Sequence, residues 1–302
     1  MLERCEFTLR KIEILIVFLI SIIPLLWYKP EHVIAKGDFF PYIFNIKNFS
    51  KDFYLWSTNN LGNPSPNSAH SLYGLLWVFS QFLLLNIGLW QIVLCVIYFL
   101  GAAFSMLYLA KTVYPEENYT AIIATIFYIF NFFILSILLN IGMMWTYAFL
   151  PLLIALFIKA LTRTQNKHKH IIYFAIAFTI VASISSMNFA NIALIILSLA
   201  SILLYYIILA RKISTGQLAK TLATLLIITS LLSVWWLVPN LYYYLLSPST
   251  QLQQEVNVLS WSWTHVRASF LNLFWLNGGW GWRQEYFSYF NFYSNNAVLT
   301  SL

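Results

Sequence analysis

Eight apolar runs set the terms on which this chain can fold: Ile12–Tyr28, Leu72–Leu85, Leu89–Ala110, Tyr119–Leu139, Met143–Leu161, Ile171–Met187, Asn191–Ala210 and Thr221–Leu245. A helix crossing the roughly 30 Å hydrocarbon core of a bilayer needs about 20 mostly apolar residues, and most of these runs approach or exceed that length. Composition agrees. Of 302 residues, 60% are apolar and only 9% are charged, against about 45–50% and about 25% in soluble domains. Disorder is excluded, because it requires low hydrophobicity and high charge. Two cysteines, Cys5 and Cys95, are too few and too distant for a disulfide scaffold. The chain reads as an all-α polytopic membrane protein.

Orientation follows from the basic residues, which favour the cytoplasmic side in short connections. Ile12–Tyr28 follows Arg4, Arg10 and Lys11 and lacks a small-residue cleavage site, so it reads as an uncleaved anchor with a cytoplasmic N-terminus. Leu72–Leu85 decides the rest. As a helix it would span only about 21 Å, and it carries Ser80 and Gln81 mid-run. If it does not cross, the connections Lys159–His170 and Arg211–Lys220 join the N-terminus in the cytoplasm, while Asn140–Gly142 and Asn188–Ala190, which are uncharged, lie outside. If it crosses, both basic connections move outside. The expectation is therefore seven transmembrane helices, with Leu72–Leu85 as a re-entrant or interfacial helix on the outer face. Eleven of the 17 Lys and Arg then lie inside, so the net charge of +7 reports topology, not nucleic-acid binding.

This layout places the long non-membrane segments on one side of a plasma membrane. Residues 1–245 form a transmembrane domain with a first outer loop at 29–71, and 246–302 form an aromatic outer-face segment. Loops of such length are usually functional or disordered, and their aromatic content opposes disorder. The tail stops as a new apolar run begins, so the chain is expected to be the front part of a longer protein.

Ten carboxylates can be placed individually. Glu3, Glu6 and Glu13 stand at the cytoplasmic start, and Glu116 and Glu117 in a cytoplasmic connection. Glu31, Asp38, Asp52, Glu255 and Glu285 are outside. None lies in the middle of a span, which disfavours an ion-coupled transporter. Asp38 stands out in Lys36-Gly37-Asp38-Phe39-Phe40-Pro41. A half-apolar setting disfavours the charged carboxylate and moves its pKa up, toward a value useful to a general base. The same residue would equally cap a helix starting at Phe39 or Phe40. Asp52 beside Lys51 reads either as a helix-start carboxylate or as support for the site. Trp56 and Asn60 open a polar, turn-rich stretch whose amides and indole suit sugar hydroxyls, although ordinary loops share that composition.

Trp261-Ser-Trp263-Thr-His265-Val-Arg267 and Trp280-Gly-Trp282-Arg283-Gln284-Glu285 mark the tail. Arg267 and Arg283 are the outer arginines, and a guanidinium fork at a membrane surface either clamps a lipid phosphate or pairs with a headgroup or with Glu285. His168 and His170 lie in a basic connection without acidic or cysteine partners, so no metal site is expected there. No Ser-His-Asp, P-loop or dinucleotide pattern is present.

Several short patterns together resemble the GT-C superfamily of multi-spanning glycosyltransferases. They are Gly37-Asp38-Phe39-Phe40-Pro41, Leu55-Trp56 with Asn60-Leu61-Gly62, Leu75-Leu76-Trp77, Tyr128-Ile-Phe-Asn131, Ala148-Phe-Leu-Pro151 and Phe274-Trp-Leu-Asn-Gly-Gly-Trp280-Gly-Trp282. In particular they resemble the N-terminal membrane domain of large arabinofuranosyltransferase-like proteins. The resemblance implies a GT-C-like fold and transfer of a sugar from a polyprenyl-phosphate donor to a glycan, lipid or protein acceptor on the outer face. By position it makes Asp38 the catalytic base. Residue chemistry then suggests Arg267 or Arg283, with His265, for the donor phosphate, and Asp52, Glu285, Trp56 and Asn60 as support. The superfamily's acidic residue often occurs in a close pair; here Phe39 and Phe40 follow Asp38, which leaves a divalent metal an open question. The rival expectation is a non-enzymatic membrane scaffold or a lipid or polysaccharide translocase.

Overall fold

The computed structural model describes residues 11–30, 32, 56–57, 63–64, 86–116, 118–137, 140–186, 189–210 and 214–246. Their regular structure is helical apart from one short antiparallel pairing. In it β1 (Trp56–Ser57) meets β2 (Asn63–Pro64), with Trp56 opposite Pro64 and Ser57 opposite Asn63. The helices are α1 (Lys11–Ser21), α2 (Ile87–Val113), α3 (Asn118–Ile129), α4 (Phe132–Ile137), α5 (Ile141–Thr162), α6 (Lys167–Ser185), α7 (Phe189–Tyr205) and α8 (Thr215–Leu246). Among the described residues, five helical stretches are long and apolar enough to cross a membrane: Gly88–Val113, Gly142–Thr162, Lys167–Ser185, Ala190–Leu209 and Gly216–Tyr242.

The two other expected spans within these residues are interrupted helices. Over Ile12–Tyr28, α1 stops at Ser21 and a 3-10 turn at Ile23–Trp27 follows. Pro24 lies in that turn and has no N–H for a continuing α-helical ladder. Over Tyr119–Leu139, α3 ends at Ile129 and α4 begins at Phe132, where the Asn131 side chain accepts from the Ile134 N–H at 3.1 Å. The chain divides into two compact units. Met1–Ile129 with Leu139–Leu246 is the first, and α4 belongs to the second, Phe130–Leu138 with Ser247–Leu302. The expected Leu72–Leu85 element lies outside the described residues.

Asparagines start two of the long helices. Asn86 Oδ1 accepts from Leu89 N at 2.7 Å and Asn140 Oδ1 from Met143 N at 3.0 Å, each satisfying an N–H that has no partner within its helix. Helix α2 supplies much of the core, with Leu94, Tyr98, Phe99, Ala102, Ala103 and Leu107 buried. It runs parallel to α5. Tyr98 meets Trp145 edge-on with ring centroids 6.1 Å apart, and further along Tyr108 meets Lys159 at 2.7 Å. Between these contacts Gly101 makes room for Phe149, whose ring would lie 2.7 Å from an added Cβ. Helix α6 runs antiparallel to α5, as the pairs Thr146–Ser185 and Phe157–Phe174 show.

Pro151, inside α5, removes the N–H that would bond the carbonyl of Tyr147 four residues earlier. The Tyr128 hydroxyl donates to that carbonyl at 2.6 Å. Tyr128 stands in the last turn of α3, so its own carbonyl also lacks a helical partner. The Tyr147 hydroxyl donates to it at 2.6 Å, and the two rings stack 4.3 Å apart and 3° from parallel. Two carbonyls orphaned for different reasons are thus satisfied by one reciprocal exchange. Tyr128→Phe removes one of these part-buried bonds and is expected to destabilise the protein by about 0.5–1.5 kcal/mol, the net worth of a typical hydrogen bond. Pro151→Ala restores the missing N–H and should remove most of that cost. Thermal unfolding in detergent checks this, and an equal cost with and without Pro151 would refute the pairing.

The two ends of the first unit differ in chemistry. At one end Lys111 Nζ lies 2.9 Å from Glu13 Oε1, an ion pair with side chains 5% and 1% exposed. At the same end Lys159 and Arg163 stand one turn apart on or just beyond α5, close enough to His170 on α6 for their charges to act on it. This is the basic end. At the opposite end Asn86 Nδ2 donates to Tyr28 Oη at 3.2 Å. Residues 29–85 therefore leave and rejoin the helices at one place. The backbone there is closely packed, since a Cβ on Gly88 would collide with the carbonyl oxygen of His32.

Candidate functional site

The end opposite the basic one is rich in hydrogen-bonding groups that carry no charge. Thr146 Oγ1 is 2.6 Å from Ser185 Oγ and 2.7 Å from the Gly142 carbonyl, so α5 and α6 are tied where the first begins and the second ends. Asn191 Nδ2 donates to the Ser185 carbonyl at 3.3 Å and brings the start of α7 to the same place. Ser186 Oγ donates to the Ser183 carbonyl at 2.7 Å. Thr146, Ser183, Ser185, Ser186 and Asn191 are all buried. In an apolar surround such groups hold helices together only when each finds a partner, and these do.

A second polar contact joins α6 to α8, where Thr179 and Ser233 hydroxyls lie 3.1 Å apart. One turn further along α8, Trp236 is 2% exposed, and its indole N–H has no hydrogen-bond partner among the described residues. Pro239 interrupts the ladder of this helix, and Asn240 Nδ2 donates to the Trp236 carbonyl at 2.8 Å. The indole N–H of Trp145, close to the start of α5, is likewise buried without a partner among the described residues. Buried donors of this kind are uncommon and usually meet water or a ligand. Thr179, Ser233, Trp236 and Trp145 carry no proton-transfer group for pH 7, so none of them can act as an acid or a base.

Of the residues expected from sequence to act, Trp56 is described, and its backbone pairs with Pro64 in the β1–β2 contact. Asp38, Asp52, Asn60, His265, Arg267, Arg283 and Glu285 lie outside the described residues. Among the described residues no three His, Cys, Asp or Glu side chains come together as metal ligands. His168 and His170 occupy the first turn of α6. Cys95 is a buried free thiol.

Sequence reasoning missed the Glu13–Lys111 pair and the Thr146–Ser185–Asn191 cluster. A carboxylate only three residues into an apolar helix was the available signal for the first. For the second it was the recurrence of Ser, Thr and Asn on both sides of one short connection. No protein-family model, curated protein or solved structure matches this chain.

Proposed function

We propose that this protein is a GT-C-type membrane glycosyltransferase that moves a sugar from a polyprenyl-phosphate donor to a glycan, lipid or protein acceptor on the outer face of the plasma membrane. Sugar transfer is taken from the sequence resemblance; the observation that supports an outward-facing site is the Tyr28–Asn86 hydrogen bond, which starts and ends residues 29–85 at the end of the helices opposite Glu13, Lys111, Lys159 and Arg163. A single crossing by Leu72–Leu85 would part Tyr28 from Asn86 by the thickness of the bilayer. With the basic end in the cytoplasm, the segment bearing Asp38 faces outward.

The mechanism is a one-step displacement. Asp38 accepts the proton of the acceptor hydroxyl as its oxygen attacks the anomeric carbon. The bond from that carbon to the phosphate oxygen breaks, and polyprenyl phosphate leaves. Arg283 and Arg267, with His265, hold the charge that develops on the departing phosphate. Trp56 and Asn60 would present a flat apolar face and an amide to the sugar, with Asp52 and Glu285 as supporting carboxylates. Asp38 is followed by Phe39 and Phe40 where a second carboxylate would be needed for a paired metal ligand, and no step requires a metal. A lipid leaving group already at the surface makes a nucleotide-binding fold unnecessary.

The test is transfer of radiolabelled sugar from polyprenyl phosphate into acceptor in membranes carrying the protein, against membranes without it. Protein-dependent incorporation is expected. Equal incorporation in both, with binding that depends on the outer tryptophans and is indifferent to Asp38, would replace this reading with a scaffold.

A further inference from the structure

Helix α6 carries a basic first turn and, on one exposed face that begins at Lys169, an apolar stripe. His168 and Lys169 are exposed in its first turn, with Lys167 partly so. Directly beyond them Ile172, Tyr173, Ile176 and Ile180 are 45%, 54%, 45% and 43% exposed, whereas Ile171, Phe174 and Ala175 are buried. Positions 169, 173, 176 and 180 fall at helical spacing and make one stripe. The stripe ends at Ser183 and Ile184, which are buried. From Lys169 to Ile180 the helix rises about 16 Å, close to half of the roughly 30 Å hydrocarbon core. It is therefore one leaflet deep.

The charge at its head has one sign. Between Lys159 and His170 the sequence has Lys159, Arg163, Lys167 and Lys169 and no Asp or Glu. The connection is short, and Asn166 in the left-handed region (φ 54°) turns the chain straight into α6, which keeps Arg163 close to the first turn. A neutral lipid would fill the stripe and leave the exposed cations of the first turn to water. An anionic phospholipid fills both parts.

We propose that this face of α6 is a binding site for an anionic phospholipid of the leaflet at the basic end, its phosphate against Lys167, His168 and Lys169 and an acyl chain along Tyr173, Ile176 and Ile180. The proposal rests on the membrane reading alone and does not depend on the glycosyltransferase assignment. Basic residues at a membrane surface attract anionic lipid in this way, and the effect falls off within a Debye length.

The experiment adds phosphatidylglycerol or phosphatidylcholine to the detergent-purified full chain and follows retained lipid by native mass spectrometry together with thermal unfolding. Phosphatidylglycerol is expected to be retained at roughly ten-fold lower concentration than phosphatidylcholine and to raise the unfolding temperature. Lys167→Gln with Lys169→Gln should abolish that preference without changing the unfolding temperature in detergent alone. Ile176→Ser should weaken retention of phosphatidylglycerol while preserving its preference over phosphatidylcholine. Glycerol phosphate, the headgroup without chains, should have no effect at the same concentration. Equal retention of the two lipids, a preference unchanged in the double lysine variant, or an equal effect of glycerol phosphate would each overturn the site.

Discussion

Asp38→Asn is expected to lower sugar transfer by about 10²–10⁴-fold, the usual contribution of a positioned general base, with the amount of protein in the membrane unchanged. Asparagine keeps the size and the hydrogen-bonding capacity of the side chain and removes only its ability to take a proton. If Asp38 acted only as a helix cap, asparagine would replace it almost without loss, because the two are similar N-caps. The substitution therefore separates the two roles that the sequence leaves open. Glu116→Gln, in an exposed connection at the basic end, serves as the control and should leave transfer at the wild-type level. Undiminished transfer by Asp38→Asn would move the base elsewhere.

The largest effect on stability is expected at the other end of the helices. Glu13 and Lys111 come from α1 and α2, 98 positions apart, and their side chains are almost wholly buried. Removing one member of such a pair leaves the other charge in a medium that solvates it poorly. Glu13→Ala should therefore destabilise the protein by about 3–5 kcal/mol. Replacing both, as Glu13→Met with Lys111→Met, removes the charges together, and a well-packed apolar pair is often neutral or better. The expected pattern in thermal unfolding is a severe single variant and a double variant near wild type. Similar losses in both would mean that the pair contributes through its own attraction and not through the cost of an uncompensated charge.

Length and apolarity made the five long helices legible, but their ends less so. The basic run Lys167–His170 was expected as a connection and forms the first turn of α6 instead, because hydropathy marks where a helix enters lipid and not where its hydrogen bonding begins. Thr215–Lys220 extends α8 in the same way, after Ser214. Asn86 and Asn140 mark their helix starts by a local mechanism and could be read from sequence. Pro24 and Asn131 break two apolar runs that length alone would have kept whole. Tyr128 and Pro151 figured in the family resemblance, and the structure gives them a role in backbone bonding. Their presence therefore says less about activity than the resemblance implied. Contacts such as Glu13 with Lys111 or Thr146 with Ser185 depend on which helices become neighbours, and no local pattern carries that. The proposed site was legible only as residue types in two long segments: carboxylates, arginines and tryptophans gathered where charge is otherwise scarce.

Everything proposed about activity depends on the basic connections facing the cytoplasm and both aromatic segments facing out. Labelling of single cysteines in intact cells with a membrane-impermeant maleimide tests this most directly. Cys5→Ser and Cys95→Ser provide the background, Asn67→Cys probes the first long segment, and Gln165→Cys probes the turn between α5 and α6. Labelling of position 67 in intact cells, with position 165 reacting only after permeabilisation, is the predicted result; position 165 reacting in intact cells, or position 67 protected until permeabilisation, would contradict it.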